Sequence, residues 1–216
     1  MGLFGENFES LLPSYLTDTD KSRLKDGLIQ FSVNREVEIS KSEIDYSNFT
    51  SKEHSSYFKQ SDLIREIRYP FLNAEYEYEK KYTDAIILSN TCDISDENPH
   101  TLNKKQSVLA PIIKLDLFVE ELSANSEFSD EQINSFQQEL KLQRISNLFY
   151  VCDNGGSEFV AMLDKIFWFP TEELNGFLPD IAENKIFSLS LFGYYLYLLK
   201  VSFHFCRFPE SLERAV

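Results

Sequence analysis

Apolar residues recur at helical spacing near the start of the chain. Residues 5–31 combine the stretches "NFESLLPSYL" and "KSRLKDGLIQF", and the polar run at 17–20 between them is rich in residues that cap helices. This pattern predicts a helical hairpin. Residues 32–60 are polar and mixed, with "REVEIS" as a short strand candidate, so they form the predicted linker of an N-terminal region spanning 1–60.

The hydrophobic period changes at residue 61, where short apolar runs replace the helical spacing. The stretches "DLIREIRYP", "TDAIILS" and "SVLAPIIKL" predict three strands. A charged segment at 115–145 then returns to helical spacing, with Ser129 at a helix start, and predicts a helical insertion. Two further strands, "SNLFYVCD" and "EFVAMLDKIFWFP", flank Asn154-Gly155, which is a strong hairpin signal.

The C-terminal part of the chain returns to helical character. Thr171 is the predicted cap of a short helix, and residues 186–208 alternate too poorly for a strand and predict an aromatic-rich helix within the region 176–216. The order of elements predicts an α+β fold. Five strands with short antiparallel connections, within residues 61–175, are expected to close into a small curved barrel that carries the helices.

Charge narrows the class of partner. The chain has 216 residues and a formal net charge of −14. A surface this acidic repels phosphate backbones, and the longest basic runs are the pairs Lys80-Lys81 and Lys104-Lys105. The sequence therefore favours a protein partner over nucleic acid.

Cysteine usage and hydropathy indicate the compartment. Cys92, Cys152 and Cys206 form no C-x-x-C pair and no disulfide framework, which is typical of a reducing cytosol. The first ten residues lack the pattern of a signal peptide. The apolar stretch 186–206 has spanning length, but it carries Lys200 among several Ser and Tyr residues, which favours a packed helix. We expect a cytoplasmic protein without membrane association.

The most chemically reactive residues follow the run "AIILSN". Cys92 beside Asp93, with Thr91 before them and His100 after, supplies the residue types of a nucleophile, an orienting acid and a base. However, the segment has no glycine for the sharp turn that exposes a nucleophile. The favoured interpretation is a strand ending, in which the polar residues of 89–93 bond backbone groups and Cys92 is tucked inward. Both interpretations stay open.

The histidines do not predict a metal site. His54, His100 and His204 lie far apart, with no His/Cys pair at ligand spacing. Zinc would require Cys92, Cys152 and His100 to meet in space, which is the less favoured alternative. The sequence therefore predicts no metal and no cofactor.

Four stretches of the chain resemble, in order, the strands of the PemK/MazF-like family, the SH3-like barrel of toxin endoribonucleases. They are "QSDLIREIRYP", "AIILSN", "SVLAPIIKL" and "EFVAMLDKIFWFPTEEL", which cover residues 60–175 around the insertion. The resemblance implies a five-stranded SH3-like barrel.

Each departure from the family pattern falls on a functional position. The chain has Thr83-Asp84 where the family has its catalytic arginine, and Ile113 where it has its catalytic threonine. Phe167 replaces a further arginine, and Ser61-Asp62 replaces the opening Gly-Asp. An acid and two apolar side chains cannot stabilise the charge that develops on a scissile phosphate. The resemblance thus implies the fold and argues against the family's activity.

The loop "NAEYEYEKKY" is the predicted solvated tip of a hairpin studded with tyrosines. A base-stacking platform of Tyr76, Tyr78 and Tyr82 is less favoured, because the neighbouring glutamates oppose binding of a phosphodiester chain.

The sequence and the resemblance together predict a non-catalytic, toxin-like barrel. We expect it to bind a protein, as a subunit or regulator in a bacterial toxin-antitoxin or phage-defence system, a setting implied by the resemblance alone. The alternative is a nuclease or hydrolase with a rebuilt active site at Asn90-Thr91-Cys92-Asp93. The candidate binding residues are Asn90, Arg68, Lys80, Lys81 and Arg207.

Overall fold

The computed structural model describes residues 12–31, 44–51, 55–73, 75–95, 105–124 and 128–206. The helices in these ranges are α1 (Asp18–Phe31), α2 (Thr91–Ile94), α3 (Leu115–Ala124), α4 (Asp130–Lys141), α5 (Thr171–Asn175), α6 (Ile181–Asn184) and α7 (Leu191–Cys206), with a 3₁₀ turn at Leu178–Asp180. The strands are β1 (Thr50–Ser51), β2 (Leu63–Leu72), β3 (Tyr78–Ile87), β4 (Gln106–Lys114), β5 (Leu148–Cys152), β6 (Glu158–Met162), β7 (Phe167–Pro170) and β8 (Lys185–Leu189).

The strands form one curled antiparallel sheet, so the α+β class is confirmed. Its order is β1-β8-β2-β3-β4-β6-β5, and β7 pairs with β4. The sheet has eight strands where the sequence predicted five. The predicted strand at 158–170 is divided into β6 and β7 by a turn, and β1 and β8 were not predicted.

The sheet curls where β4 changes its partner. Residues 106–109 of β4 pair with β7, and residues 112–114 pair with β6. Pro111 lies between these two ladders, opposite Ala85 of β3. Because proline has no N–H to donate, it fits the position where neither ladder needs one.

The hairpin between β5 and β6 is confirmed, but its turn is longer than the Asn154-Gly155 pair suggested. Asp153 and Ser157 bond across the loop, and the Asp153 carboxylate accepts the N–H groups of Gly155 and Ser157 at 2.8 and 2.7 Å. Gly156, not Gly155, adopts the left-handed conformation at φ 86°. Only glycine enters that region without strain.

The C-terminal prediction is partly wrong. Residues 185–189 form β8, which pairs with β1 and β2, and the helix begins only at Leu191. None of the helices in the described ranges is long and apolar enough to cross a membrane. α7 instead packs against α1 so closely that a Cβ on Gly27 would lie 2.7 Å from Leu196. The aromatic helix is therefore a packed element of the fold.

The N-terminal region contributes buried side chains to the hydrophobic core that also contains α7. α1 confirms the second half of the predicted hairpin, whereas residues 12–17 form turns and not a helix. Residues 5–11 of the predicted hairpin, and residues 32–43 and 52–54 of the predicted linker, lie outside the described ranges. Phe49 is fully buried and meets the rings of Phe149 and Phe192, so the segment before β2 packs into the core.

The insertion between β4 and β5 consists of two helices, α3 and α4. Ser129 caps α4 in a capping box with Gln132, which confirms the predicted start. The rings of Phe118 on α3 and Phe136 on α4 stack with their centroids 5.9 Å apart, and this contact packs the two helices together. Thr171 was expected to cap α5, but it is the first helical residue, and its hydroxyl bonds that of Ser107 at 2.9 Å.

Candidate functional site

Four large aromatic side chains stand exposed around the tip of the β2–β3 hairpin and the adjacent β7. Tyr76, Tyr78, Tyr82 and Trp168 are 83, 82, 72 and 70% exposed. Exposure of the three tyrosines confirms the predicted solvated hairpin. Tyr78 and Tyr82 project from the same face of β3, because residues four apart on a strand share a face.

Trp168 was missed by the sequence interpretation. β7 alternates strictly, with Phe167 and Phe169 buried and Trp168 between them exposed. This two-residue period would have identified Trp168 as outward-facing if the segment had been treated as a separate short strand.

Two of the predicted binding residues, Arg68 and Lys80, line one cleft of about 360 Å³ together with Tyr78 and Trp168. We call this the aromatic cleft. Lys80 shares a face of β3 with Tyr78 and Tyr82, and Arg68 lies opposite Tyr82 on β2. Positive charge and exposed ring faces therefore lie side by side.

The ion pair that Arg68 forms at the aromatic cleft is exposed and therefore weak. The Arg68 guanidinium lies 3.2 Å from both carboxylate oxygens of Glu173, and about half of each side chain is exposed. Exposed pairs of this kind contribute about 0–1 kcal/mol. The predicted binding residue Lys81 lies on the opposite face of β3, 3.6 Å from Glu79. A binding partner can therefore recruit Arg68 at little cost.

Tyr69, which lines the aromatic cleft, packs against a ring of the core. The rings of Tyr69 and Phe167 meet edge to face with centroids 4.9 Å apart, and Phe167 is buried. Such a pair contributes about 0.5–1.5 kcal/mol beyond the area it buries. The exposed aromatic groups are thus mounted on a packed support.

The candidate catalytic segment forms a surface turn. Asn90 precedes the one-turn helix α2, and its carbonyl accepts the N–H of Asp93 at 2.9 Å. The Thr91 hydroxyl accepts the backbone N–H of Gln60 at 3.0 Å. Cys92 is exposed, and Ile94 is the residue of this turn that faces the core. The expected inward position of Cys92 is therefore wrong.

The strand ending itself agrees with the favoured interpretation. The Ser89 hydroxyl accepts the backbone N–H of Val108 at 2.8 Å, so it bonds backbone where β3 leaves the sheet. His100, the candidate base, lies outside the described ranges, as does the predicted binding residue Arg207. Within the described ranges, the segment brings together Asn90, Thr91, Cys92 and Asp93 on one turn.

The positions that would carry the family's catalytic groups have structural contacts here. Asp84 accepts the backbone N–H of Glu66 at 3.1 Å, at a bulge where Glu66 has φ 52°. Ile113 packs with the apolar residues beneath the insertion, and Phe167 packs on Tyr69. Each of these side chains is used in packing or in backbone bonding.

Among the residues that the structure describes, no group of three His, Cys, Asp or Glu side chains is placed to hold a metal ion. Burial raises the pKa of the Cys152 thiol, which favours the protonated form over the thiolate that binds metals.

Comparison of the chain with protein-family models, with curated proteins and with solved structures finds no match in any of the three. The resemblance to the PemK/MazF-like family therefore stays a prediction.

Proposed function

We propose that this chain is a non-catalytic protein-binding module, built on a PemK/MazF-like barrel, whose docking surface is the aromatic cleft. The observation that carries the proposal is the group of four aromatic side chains that are at least 70% exposed, beside Arg68. Tyr, Trp and Arg are the residue types that most often dominate the energy of protein interfaces.

Charge supports a protein rather than a nucleic acid as the occupant. The net charge of −14 opposes a phosphodiester chain, and Glu173 and Glu79 lie within or beside the aromatic cleft. A partner with a basic surface would be attracted by the whole chain. We therefore infer a cytoplasmic subunit or regulator of a toxin-antitoxin or phage-defence type system that binds a basic protein.

The test is co-purification of the wild-type chain with its partner from cells that encode both. Trp168→Ala should weaken the complex by about 30-fold or more, the change that corresponds to loss of about 2 kcal/mol at a hot spot. Phe205→Ala removes an aromatic side chain that is 50% exposed on α7 and serves as the matched control. A stoichiometric complex that Trp168→Ala leaves intact would exclude the aromatic cleft as the docking surface.

A hydrolase at Asn90-Thr91-Cys92-Asp93 is the second candidate, and the exposure of Cys92 beside Asp93 favours it. Purified protein should be assayed on mixed RNA and DNA beside Cys92→Ala and Asp93→Ala. Cleavage by the wild type that either variant loses would replace the non-catalytic proposal. If neither wild type nor variants cleave, the catalytic alternative is removed.

A further inference from the structure

A second cleft, of about 490 Å³, lies where β1 and β8 meet the start of β2. We call it the hydroxyl cleft, because Ser, Thr, Gln and Asn side chains make up most of its described lining. Its volume is in the range of about 300–1,000 Å³ that small-molecule sites occupy. It shares no described lining residue with the aromatic cleft.

Two buried oxygen atoms in the walls of the hydroxyl cleft have no hydrogen-bond partner within the described part of the chain. They are Oδ1 of Asp62 and Oγ of Ser188, on residues that are 1 and 7% exposed. A buried polar atom left without a partner costs about 1–3 kcal/mol. Such atoms are therefore rare in native proteins and call for an explanation.

The register of the sheet places these two residues on neighbouring segments of the chain. Leu63 pairs with Phe187 in antiparallel strands, so Asp62, the residue before β2, is next to the position of Ser188 on β8. Ser51 of β1 pairs with Ser188 on its other side. Ser51, Ser188 and Asp62 thus form a polar row that runs from β1 across β8 to the start of β2, and all three line the hydroxyl cleft.

The charge of Asp62 is already balanced. Its other oxygen, Oδ2, lies 2.9 Å from the Lys185 ammonium, and the two side chains are 1 and 6% exposed. The same oxygen accepts the Lys59 backbone N–H at 2.9 Å. Because the pair is neutral as a whole, Oδ1 needs a neutral donor and not a second cation.

Two further lining residues of the hydroxyl cleft belong to a hydrogen-bond chain. Tyr194 donates its hydroxyl to Oε1 of Gln60 at 2.9 Å, and Nε2 of Gln60 donates to the Leu88 carbonyl at 2.7 Å. Leu189 and Leu191 also belong to the lining. The lining therefore combines an aromatic ring and apolar groups with the polar row.

We propose that the hydroxyl cleft binds a small neutral polyhydroxylated molecule through two adjacent hydroxyl groups. Because both oxygens are buried in the chain without a ligand, the two side chains turn toward the cleft on binding, so that one hydroxyl donates to Oδ1 of Asp62 and its neighbour bonds Oγ of Ser188. The C–H face of the molecule packs on Tyr194. A pyranose sugar and the ribose of a nucleoside both offer this pair of hydroxyl groups. The proposal does not depend on the function of the aromatic cleft.

The probes are glucose and adenosine, each compared with the analogue that lacks one hydroxyl of the pair, 2-deoxyglucose and 2′-deoxyadenosine. Saturation-transfer NMR and titration calorimetry on the full chain should detect binding of glucose or of adenosine at millimolar concentration. The Kd of the matching deoxy analogue should be at least about ten-fold higher, as expected when one hydrogen bond to a charged group is lost. The glucose and adenosine arms distinguish a sugar site from a nucleoside site. Absence of binding in both arms overturns the proposal.

The decisive variant is Ser188→Ala, because it removes a hydroxyl that has no partner within the described residues. It should weaken binding of the probe by several-fold without lowering the melting temperature. Ser107→Ala is the control, since that buried hydroxyl bonds Thr171 outside the cleft, and its loss should lower the melting temperature and leave probe binding unchanged. Asp62→Asn should abolish probe binding. If Ser188→Ala leaves probe binding unchanged, or lowers the melting temperature as Ser107→Ala does, the proposal fails.

Discussion

Lys200 lies on α7, and replacing it tests how that helix is held against the insertion. The side chain is 1% exposed, and its Nζ donates to the carbonyl oxygens of Gln143 and Ile145 at 2.6 and 2.7 Å. Burial lowers the pKa of Lys200 from 10.5 to about 7, because the ammonium group loses its hydration. The neutral amine keeps two N–H donors, so it can still bond both carbonyls.

The direction of the pH dependence follows from this pKa. Between pH 7 and 10.5, the unfolded chain holds a proton on Lys200 that the folded chain does not. The free energy of unfolding therefore rises with pH in this window, by about 1.4 kcal/mol per pH unit and roughly 5 kcal/mol in all. Below pH 7, Lys200 is charged in both the folded and the unfolded chain, and the cost of burying its charge is fully present. Above pH 10.5, Lys200 is neutral in both states and this cost is absent.

The assay is urea unfolding followed by circular dichroism, across this pH window, for the wild type and Lys200→Met. Subtracting the two free energies of unfolding cancels the other titrating groups. The difference should favour the wild type increasingly as pH rises. Lys165→Met is the control, because it makes the same chemical change at a position that is exposed to water in the folded chain. If the curves of wild type and Lys200→Met run parallel, Lys200 is charged when folded and the reasoning is refuted.

Three further outcomes are expected. Gly193→Ala should lower the free energy of unfolding by about 1–3 kcal/mol in urea titrations, because the added Cβ would lie 2.5 Å from the Phe49 carbonyl oxygen; an unchanged midpoint would contradict that contact. Ser129→Ala should cost about 1 kcal/mol by the same measurement, since it removes the cap of α4. In the folded protein, a thiol reagent should label Cys92 before Cys152, because Cys92 is exposed and burial raises the pKa of Cys152. Peptide mass spectrometry measures the two labelling rates, and equal rates would contradict this difference.

The central strands could be predicted because each combines a short apolar run with clear boundaries. Residues 85–87 of β3 are fully buried, and Asn154-Gly155 marks the hairpin that joins β5 to β6. β8 could not be predicted, because "KIFSL" is partly buried on both faces and lacks a two-residue period. Its pairing with β1 and β2 is tertiary, and at residues 185–189 it overrides the helix that was predicted to begin at residue 186.

The candidate sites likewise combine features that can be predicted from the sequence with features that depend on tertiary pairing. Tyr78, Lys80 and Tyr82 share a face because of the strand period, which can be read from the sequence. The cleft that Tyr78 and Lys80 form with Trp168 requires β4 to pair with both β3 and β7, and this pairing cannot be read from the sequence. The neighbouring positions of Asp62 and Ser188 follow from the register of β2 and β8, which no pattern in the sequence indicates.

The hydroxyl cleft lies at the start of β2, and the aromatic cleft lies along the second half of this strand. Asp62 immediately precedes β2, while Arg68 of the aromatic cleft lies six residues, or roughly 20 Å at the rise of an extended chain, further along. Substitutions that far apart, with no shared contacts, act additively. Loss of a protein partner in Trp168→Ala and loss of a small-molecule probe in Ser188→Ala therefore report on separate surfaces.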